Sequence, residues 1–217
     1  MSFSHSILTS MKITPLSLID RLRARWVARW HTVQTLHQQT IAEHSHCVGV
    51  IAEDLLSRFA ARNNKPLCYE QRYLVLKYAQ VHDMPELLTG DPSSPFKHMT
   101  KQALPGFAEY MEALEHALVP ELVEIEQASN RFPHLPFIMK AADLLEAISF
   151  FRMAQGRDKE HNDVVRMKLN DLLQHTVSNA IDALPDCCWD FIVEVKDEIE
   201  KNAATGTMAF EGFNLNK

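Results

Sequence analysis

Glycine is scarce in this chain, which has six glycines and ten prolines among its 217 residues. Hydrophobic residues make up 46% of the sequence. This composition excludes a collagen-like or disordered chain and predicts a compact, helix-rich protein. A chain of this length can bury a substantial core, so we expect one domain over residues 1–217, with its core at about 15–202 and a mobile tail at about 203–217.

Cysteine is also rare, and long apolar runs are missing. The four cysteines form no CxxC pair, which favours reduced thiols over a disulfide framework or a zinc site. No stretch reaches about 18 uncharged apolar residues, the minimum for a membrane-spanning helix. The first residues also lack the apolar run of a signal peptide. We therefore expect a cytoplasmic protein without a membrane partner.

Positive charge is not in excess, because 28 acidic residues outnumber 22 lysines and arginines and the net charge is −6. Binding to a nucleic-acid polymer normally requires clustered lysine and arginine. The charge balance therefore argues against a nucleic-acid partner. A small anionic ligand remains compatible with it, because one pocket can be basic on an acidic protein.

Apolar residues recur at helical spacing along most of the chain and predict an all-α fold, a single compact helical bundle. The expected helices cover about residues 15–27, 40–62, 69–81, 106–128, 135–155, 160–182 and 187–202. In the first helix the apolar stripe consists of Leu16, Ile19, Leu22 and Trp26.

Start and stop signals sharpen two of these boundaries. Thr40 and Glu43 fit a capping box, in which the threonine hydroxyl and the glutamate carboxylate bind exposed amides reciprocally. The turn formers at residues 89–95 include two prolines. They predict a loop at the edge of a pocket, because proline lacks the amide hydrogen that a helix needs.

His82 and Asp83 end the predicted 69–81 helix, and an adjacent imidazole and carboxylate can both bind a divalent cation. His44 and Asp143 could complete a set of two nitrogen and two oxygen donors. Such mixed donors suit Co, Mn, Zn, Ni or Fe, with Mg possible although it prefers oxygen ligands. Each residue also has an ordinary structural interpretation: His44 as a packed core histidine, and Asp143 as a partner of Lys140.

The order of the motifs carries more information than any one of them. The segments RWHTVQTLHQQTIAEHS, YAQVHDMPELLTGD, PSSPFKH and KAADLLEA follow one another along the chain. In this order they resemble the HD-domain phosphohydrolases, specifically the bacterial 5'-deoxynucleotidase branch and its viral relatives. The resemblance covers about residues 25–155. If the protein is viral, the expected location becomes the host cytoplasm.

The resemblance implies a metal site and a catalytic carboxylate. The metal ligands of the family fall on His44, His82, Asp83 and Asp143, and Asp83 is thereby also a catalytic residue. Glu86 matches the acidic residue that assists proton transfer or positions the attacking water. On its own, Glu86 would be a carboxylate that favours the start of a helix.

The resemblance also implies a deoxynucleotide site. Arg29 matches a phosphate-binding arginine, whose planar fork suits phosphate, and Trp30 matches a tryptophan that packs on the nucleoside. Asp91 matches a residue that recognises the sugar 3'-hydroxyl. Lys97 could bind phosphate, and His31 could line a pocket for a longer phosphate chain. Without the resemblance, these residues would be a solvated arginine, a core aromatic and turn formers.

The expected reaction is metal-dependent hydrolysis of the 5' α-phosphate ester of a 2'-deoxyribonucleotide, which is either a monophosphate or a triphosphate such as dATP. A monophosphate would yield deoxynucleoside and phosphate, and a triphosphate would yield deoxynucleoside and triphosphate. The RWHT segment favours the viral dATP triphosphohydrolases. Two alternatives stay open: hydrolysis of another nucleotide such as guanosine tetraphosphate, and a non-catalytic helical metal-binding module. A homodimer or higher homo-oligomer is usual in this branch.

Overall fold

The computed structural model describes residues 13–33, 35–90, 92–153 and 159–205. This part of the chain is helical, with one isolated β-bridge and no strand, so the predicted all-α fold class is confirmed. A 3-10 helix at Leu22–Arg25 lies between α1 and α2. The α-helices are α1 (Leu18–Arg21), α2 (Ile41–Arg62), α3 (Tyr69–Val81), α4 (Glu86–Thr89), α5 (Ser94–Ala103), α6 (Phe107–Leu118), α7 (Glu121–Ser129), α8 (Leu135–Met153), α9 (Lys159–Ala183) and α10 (Phe191–Thr205).

Helix α2 lies at the centre of the fold and packs against α3, α8 and α10. It begins as the sequence predicts: the Thr40 hydroxyl accepts from the amide of Glu43 at 3.2 Å, and the Glu43 carboxylate accepts from the amide of Thr40 at 2.7 Å. Its buried face repeats at three and four residues and includes Val48, Leu55 and Phe59. His44 lies on this same buried face, one turn from the helix start.

Helix α8 is buried on more than one side, because α2, α3, α9 and α10 all pack on it. Its buried side chains include Ile138, Leu145 and Ile148, which are completely inaccessible. Two carboxylates, Asp143 and Glu146, lie among the apolar residues of this helix. Burial of carboxylates is costly unless they are paired, so their partners mark a polar centre inside the core.

A loop from Arg29 to Gln39 precedes α2 and is closed at its base by backbone hydrogen bonds. The amide of Arg29 donates to the carbonyl of Gln39 at 2.8 Å, and the amide of Ile41 donates to the carbonyl of Val27 at 3.0 Å. Ala28 and Thr40 form the isolated bridge between these two bonds. The Arg29–Gln39 loop is therefore fixed where it meets the core.

The predicted helix at 15–27 is wrong in length and in its buried face. The structure has the four residues of α1 followed by a 3-10 turn, and of the predicted stripe Leu16 is buried, whereas Ile19, Leu22 and Trp26 are 64%, 46% and 74% exposed. A short helix needs an apolar face packed on the core to be stable. With little of this face buried, the helix stays short.

Two proline effects correct the predictions for the middle of the chain. The expected 106–128 helix is divided into α6 and α7, because Val119 precedes Pro120 and adopts a non-helical conformation, as residues before proline tend to do. Helix α5 was not predicted. Pro95 falls in its first turn, where the missing amide hydrogen is harmless, so the turn formers end at Ser93.

Helix α4 was not predicted either. The remaining predicted helices agree with the structure to within a few residues, except that the last one starts at Phe191 rather than 187. Helix α10 continues to Thr205, into the expected tail, and residues 206–217 lie outside the described part of the chain. No helix among the described residues is long and apolar enough to cross a membrane. The assignment of one domain to the whole chain stays a prediction.

Candidate metal centre

Three core elements bring the four predicted metal ligands together. His44 comes from the first turn of α2, His82 and Asp83 directly follow α3, and Asp143 comes from the middle of α8. These helices pack on one another, so residues far apart in the sequence share one small volume. His44 is fully buried, and the side chains of the other three are 8–18% exposed.

The ligand atoms point at one another. One donor atom each from His44, His82 and Asp143 lies within 4.8 Å of the other two. The Nε2 atom of His44 is 3.4 Å from an oxygen of Asp83 and 3.4 Å from an oxygen of Asp143. Asp83 is also 3.4 Å from Nε2 of His82. Two nitrogens and two carboxylates therefore converge.

Both imidazole rings present the nitrogen that a metal would need. Nδ1 of His44 is 2.5 Å from Glu146, and Nδ1 of His82 is 3.2 Å from the carbonyls of Tyr78 and Ala79. Carboxylates and carbonyls accept hydrogen bonds, so each Nδ1 carries a hydrogen, and Nε2 is the nitrogen that each ring in its neutral form would offer to a metal. The partner of Nδ1 thus fixes the tautomer, as it does for ligating histidines in general.

The two Nε2 atoms lie 3.1 Å apart, where two lone pairs repel unless a proton or a cation lies between them. Burial alone would lower the pKa of His44, but its hydrogen bonds to Asp143 and Glu146 outweigh burial and raise the pKa to about 9. The site therefore attracts positive charge. Its donor set, two imidazoles and two carboxylates, fits a divalent transition metal.

The two aspartates stay ionised although burial raises the pKa of each carboxyl. For Asp83 the charges of His82, Arg29 and His44 outweigh burial and lower the pKa. For Asp143 the hydrogen bond to His44 and the charge of Lys140 hold the pKa well below its ordinary value. Both side chains are therefore anionic donors at neutral pH, as metal binding requires.

Arg29 and Trp30 lie beside the ligands. The guanidinium of Arg29 is buried and contacts the carboxylate of Asp83, and its Cζ is 5.6 Å from the centre of the Trp30 ring. The Trp30 ring meets Phe151 edge to face at 4.6 Å, and its Nε1 donates to Gln39 at 3.2 Å. Arg29 thus stands between the metal ligands and the tryptophan.

The other predicted site residues are Glu86, Lys97, His31 and Asp91. Glu86 begins α4, and its carboxylate accepts from Nζ of Lys97 at 2.7 Å. His31 is exposed in the Arg29–Gln39 loop. Asp91 lies outside the described residues. His46, two residues from His44, is exposed on the opposite side of α2, as the helical spacing predicts.

Two buried residues of the centre, Gln39 and Glu146, were not predicted from the sequence. Glu146, 3% exposed, accepts from Nδ1 of His44, and Gln39, 4% exposed, donates to Glu146 at 2.6 Å. One signal was available: Glu146 follows Asp143 by three residues in an apolar helix, so both face the same direction. The signal for Gln39 was absent, since its neighbours in the loop are polar.

Comparison with known proteins decides the family. The sequence matches the family described as 5'-deoxynucleotidase YfbR-like over residues 16–174, which is well over half of the chain. The chain belongs to this family. The matched range contains all the residues that converge in the metal centre and the Arg29–Gln39 loop. Membership of the 5'-deoxynucleotidase branch, predicted from the motif order, is confirmed.

Similar proteins include viral and bacterial members. The dATP triphosphohydrolase of cyanophage S-2L is 28% identical over 180 residues, which cover 83% of this chain and 89% of the relative. The dATP triphosphohydrolase of Acinetobacter phage SH-Ab 15497 is 28% identical, with 81% and 86% covered. The 5'-deoxynucleotidase PM0747 of Pasteurella multocida is 29% identical over 62% of this chain and 71% of its own.

A solved structure supports the same assignment. The HD phosphohydrolase DatZ of cyanophage S-2L, bound to dA and one catalytic Zn²⁺ ion, matches this fold with a TM-score of 0.63 and 27% sequence identity. The match covers 89% of this chain and 97% of that one. HD-domain phosphohydrolases are hydrolases, so the prediction that this protein is an enzyme of that class is confirmed.

Proposed function

We propose that this protein is a metal-dependent hydrolase of 2'-deoxyribonucleotides that cleaves the ester bond between the 5' oxygen and the α-phosphorus. The observation that carries the proposal is the contact of Arg29 with both Asp83 and the Trp30 ring. A metal at the aspartate and a nucleoside at the tryptophan would place the α-phosphate, which is bonded to that nucleoside, beside the guanidinium. A planar guanidinium suits phosphate.

His44, His82, Asp83 and Asp143 would hold the metal. Zn²⁺ is the first candidate, because the related phage enzyme was solved with one catalytic Zn²⁺ ion, and Co, Mn, Ni and Fe suit the same donors. Such a metal supplies Lewis-acid polarisation of the phosphate and acidification of the attacking water. Mg, which prefers oxygen ligands, is the least suited.

The protein side chains would divide the remaining work. Glu86, three residues after Asp83 and paired with Lys97 at 2.7 Å, would orient the attacking water and accept its proton. Lys97 would then also be available to a phosphate oxygen. Asp91 would bind the 3'-hydroxyl, and the exposed His31, next to Trp30, would contact phosphates beyond the first. These roles rest on motif positions.

We infer that dATP is the first substrate to test. The relatives in two phages that cover more than four fifths of this chain are dATP triphosphohydrolases, and the solved relative binds dA. The second candidate is a deoxynucleoside monophosphate, because the family and the Pasteurella relative are described as 5'-deoxynucleotidases. Both reactions break the same ester bond.

The deciding experiment is a substrate panel with Zn²⁺, Co²⁺ or Mn²⁺ added. It contains deoxy- and ribonucleoside mono- and triphosphates and guanosine tetraphosphate, and its products are resolved as phosphate or triphosphate. We expect deoxyadenosine and triphosphate from dATP, with no turnover by His82→Ala and full turnover by the exposed control His46→Ala. Turnover of guanosine tetraphosphate alone would support hydrolysis of another nucleotide instead. Metal binding without any turnover would support a non-catalytic metal-binding module.

We also propose that the protein is a homodimer or higher homo-oligomer. The apolar residues at 189–195, at and just before the start of α10, belong to the core of the chain, because Trp189, Ile192 and Val195 are at most 6% exposed. Light scattering of the full chain measures the state directly, and a mass of one chain would contradict the proposal.

A further inference from the structure

Two buried polar side chains, Gln39 and Glu146, connect the predicted metal ligands to the predicted nucleoside contact. They are 4% and 3% exposed, and burying an amide and a carboxylate is unfavourable unless their hydrogen bonds are made. Here the hydrogen bonds converge on the Glu146 carboxylate from two sides. Glu146 contacts Nδ1 of His44 at 2.5 Å and Nε2 of Gln39 at 2.6 Å, while Oε1 of Gln39 accepts from Nε1 of Trp30 at 3.2 Å.

The polarity of this chain of bonds leaves one arrangement. The indole nitrogen of Trp30 is a donor, so it requires the oxygen of the Gln39 amide, and the amide nitrogen must then face Glu146. Each carboxylate oxygen of Glu146 accepts one hydrogen bond, one from Gln39 and one from His44. Rotation of any member would leave a buried group without its partner, which is costly.

Trp30 needs support of this kind. Its φ angle is 58°, in the left-handed region that bulky side chains rarely adopt. Such a conformation persists where surrounding contacts enforce it. Gln39 holds both the backbone next to Trp30 and the Trp30 ring. Its carbonyl accepts from the amide of Arg29 at 2.8 Å, and its side chain accepts from the indole nitrogen.

We propose that Gln39 and Glu146 are positioning residues that couple metal binding at His44 to nucleoside binding at Trp30. The inference rests on the proposed function, because it takes the four ligands and Trp30 in those roles. With Nε2 of His44 engaged by a metal, the hydrogen bond at Nδ1 would hold Glu146 in place, and Glu146 would in turn orient the amide of Gln39 and, through it, the indole. Because linkage is reciprocal, a nucleoside held by Trp30 raises metal affinity by the same factor.

The first arm of the test measures metal binding without nucleotide. Titration of the full chain with Co²⁺ gives the affinity and a visible absorption spectrum that reports ligand geometry. For Glu146→Gln, which keeps the shape and removes the charge, we expect roughly 10- to 100-fold weaker binding and an altered spectrum, as for other residues that support a metal-bound histidine. Gln39→Met should weaken binding less, and the exposed neighbour Gln38→Met should match the unsubstituted protein.

The second arm measures the coupling itself. The dissociation constant of deoxyadenosine is measured with and without Zn²⁺, and the ratio of the two is the coupling factor. We expect this factor to move toward one in Gln39→Met and to stay unchanged in Gln38→Met. Trp30→Phe keeps the ring on Phe151 and removes the indole donor, so it should lower the factor as well, and it serves if Gln39→Met does not fold.

The outcomes separate the two proposals. An unchanged coupling factor in both Gln39→Met and Trp30→Phe would overturn the coupling, even if the enzyme hydrolyses deoxynucleotides. If deoxyadenosine does not bind the unsubstituted protein, the proposed substrate class fails. The Co²⁺ titration then still tests the positioning role of Gln39 and Glu146. Equal Co²⁺ affinities and spectra in Glu146→Gln, Gln39→Met and the unsubstituted protein would overturn that role.

Discussion

At the scale of single residues, Arg29 contacts both a predicted metal ligand and the predicted nucleoside contact. Its guanidinium is 9% exposed, contacts Asp83 and lies over Trp30. Arg29→Lys keeps the charge and loses the planar fork, so we expect kcat/KM to fall roughly 10- to 100-fold, which corresponds to about 1.4 to 3 kcal/mol of transition-state stabilisation. Steady-state kinetics with the preferred deoxynucleotide gives the ratio.

A matched control for this substitution lies four residues earlier. Arg25 is exposed and donates from Nε to a carbonyl in its own turn, so Arg25→Lys should leave kcat/KM unchanged. Equal values of kcat/KM for Arg29→Lys and Arg25→Lys would contradict the proposed phosphate-binding role of Arg29.

His134 gives a pH dependence of stability that is independent of the metal centre. Its ring is buried, stacks on Phe59 at 4.4 Å, and lies 3.2 Å from the side-chain amide of Gln71. Burial, with a smaller effect of Lys65, lowers its pKa from 6.5 to about 4. The unfolded chain therefore takes up a proton near pH 6.5, and the folded protein takes it up near pH 4.

The sign of the effect follows from this difference in pKa. Above pH 6.5 neither state is protonated at His134, and the full stability is present. As the pH falls from 6.5 to 4, proton uptake by the unfolded chain should remove up to about 3 kcal/mol of unfolding free energy. Urea denaturation at several pH values gives the unfolding free energy as a function of pH. Between pH 6.5 and 4 this free energy should fall less in His134→Gln than in the unsubstituted protein, and equally in the exposed control His175→Gln.

Site residues could be predicted where they are adjacent in the sequence or belong to motifs in a recognisable order. His82 and Asp83 are adjacent, and their motif order led to His44 and Asp143. Gln39 could not be recognised in this way, because its partner Glu146 is 107 positions away. A buried hydrogen bond between such distant residues becomes visible after the helices have packed.

At the scale of elements, the start of α2 determines where His44 lies. Thr40→Ala removes the hydroxyl that accepts from the amide of Glu43, so we expect a loss of about 1 kcal/mol in unfolding free energy. Urea denaturation in the presence of a chelator measures this loss without any contribution from a bound metal. Thr40→Ser keeps the hydroxyl and should retain most of the stability, and equal losses for both variants would contradict the capping role.

Helix existence was easier to predict than helix ends. The apolar residues on the buried face of α2 repeat over many turns, and its capping box involves residues three positions apart. The sequence was therefore sufficient to predict both this helix and its first residue. For α1 the same apolar spacing is present, but Ile19 and Trp26 remain exposed. Spacing shows which residues could share a face, whereas the rest of the fold decides whether that face is covered.

At the scale of the whole molecule, metal binding should stabilise the fold. The predicted ligands come from α2, the end of α3 and α8, and the unfolded chain cannot bring them together, so a metal should bind the folded state preferentially. At a free Zn²⁺ concentration about 100 times its dissociation constant, the gain is about 2.7 kcal/mol. For a protein of this size that gain corresponds to a rise in Tm of about 5 to 10 °C.

Thermal denaturation with Zn²⁺ and then with excess chelator measures this rise and its reversal. His82→Ala should abolish the rise, and His46→Ala, which changes an exposed histidine on the same helix as His44, should retain it. A similar rise in Tm for His82→Ala would mean that the metal stabilises the protein from another position.

The closed base of the Arg29–Gln39 loop has a consequence for how this family can diversify. The paired backbone at Ala28 and Thr40 isolates the loop interior from α2, so a change of length there need not displace the helix that carries His44. Doubling the length of a flexible loop costs about 0.6 kcal/mol. The segment between Trp30 and Gln39 can therefore change in length while Arg29, Trp30 and Gln39 keep their hydrogen bonds at the base of the loop.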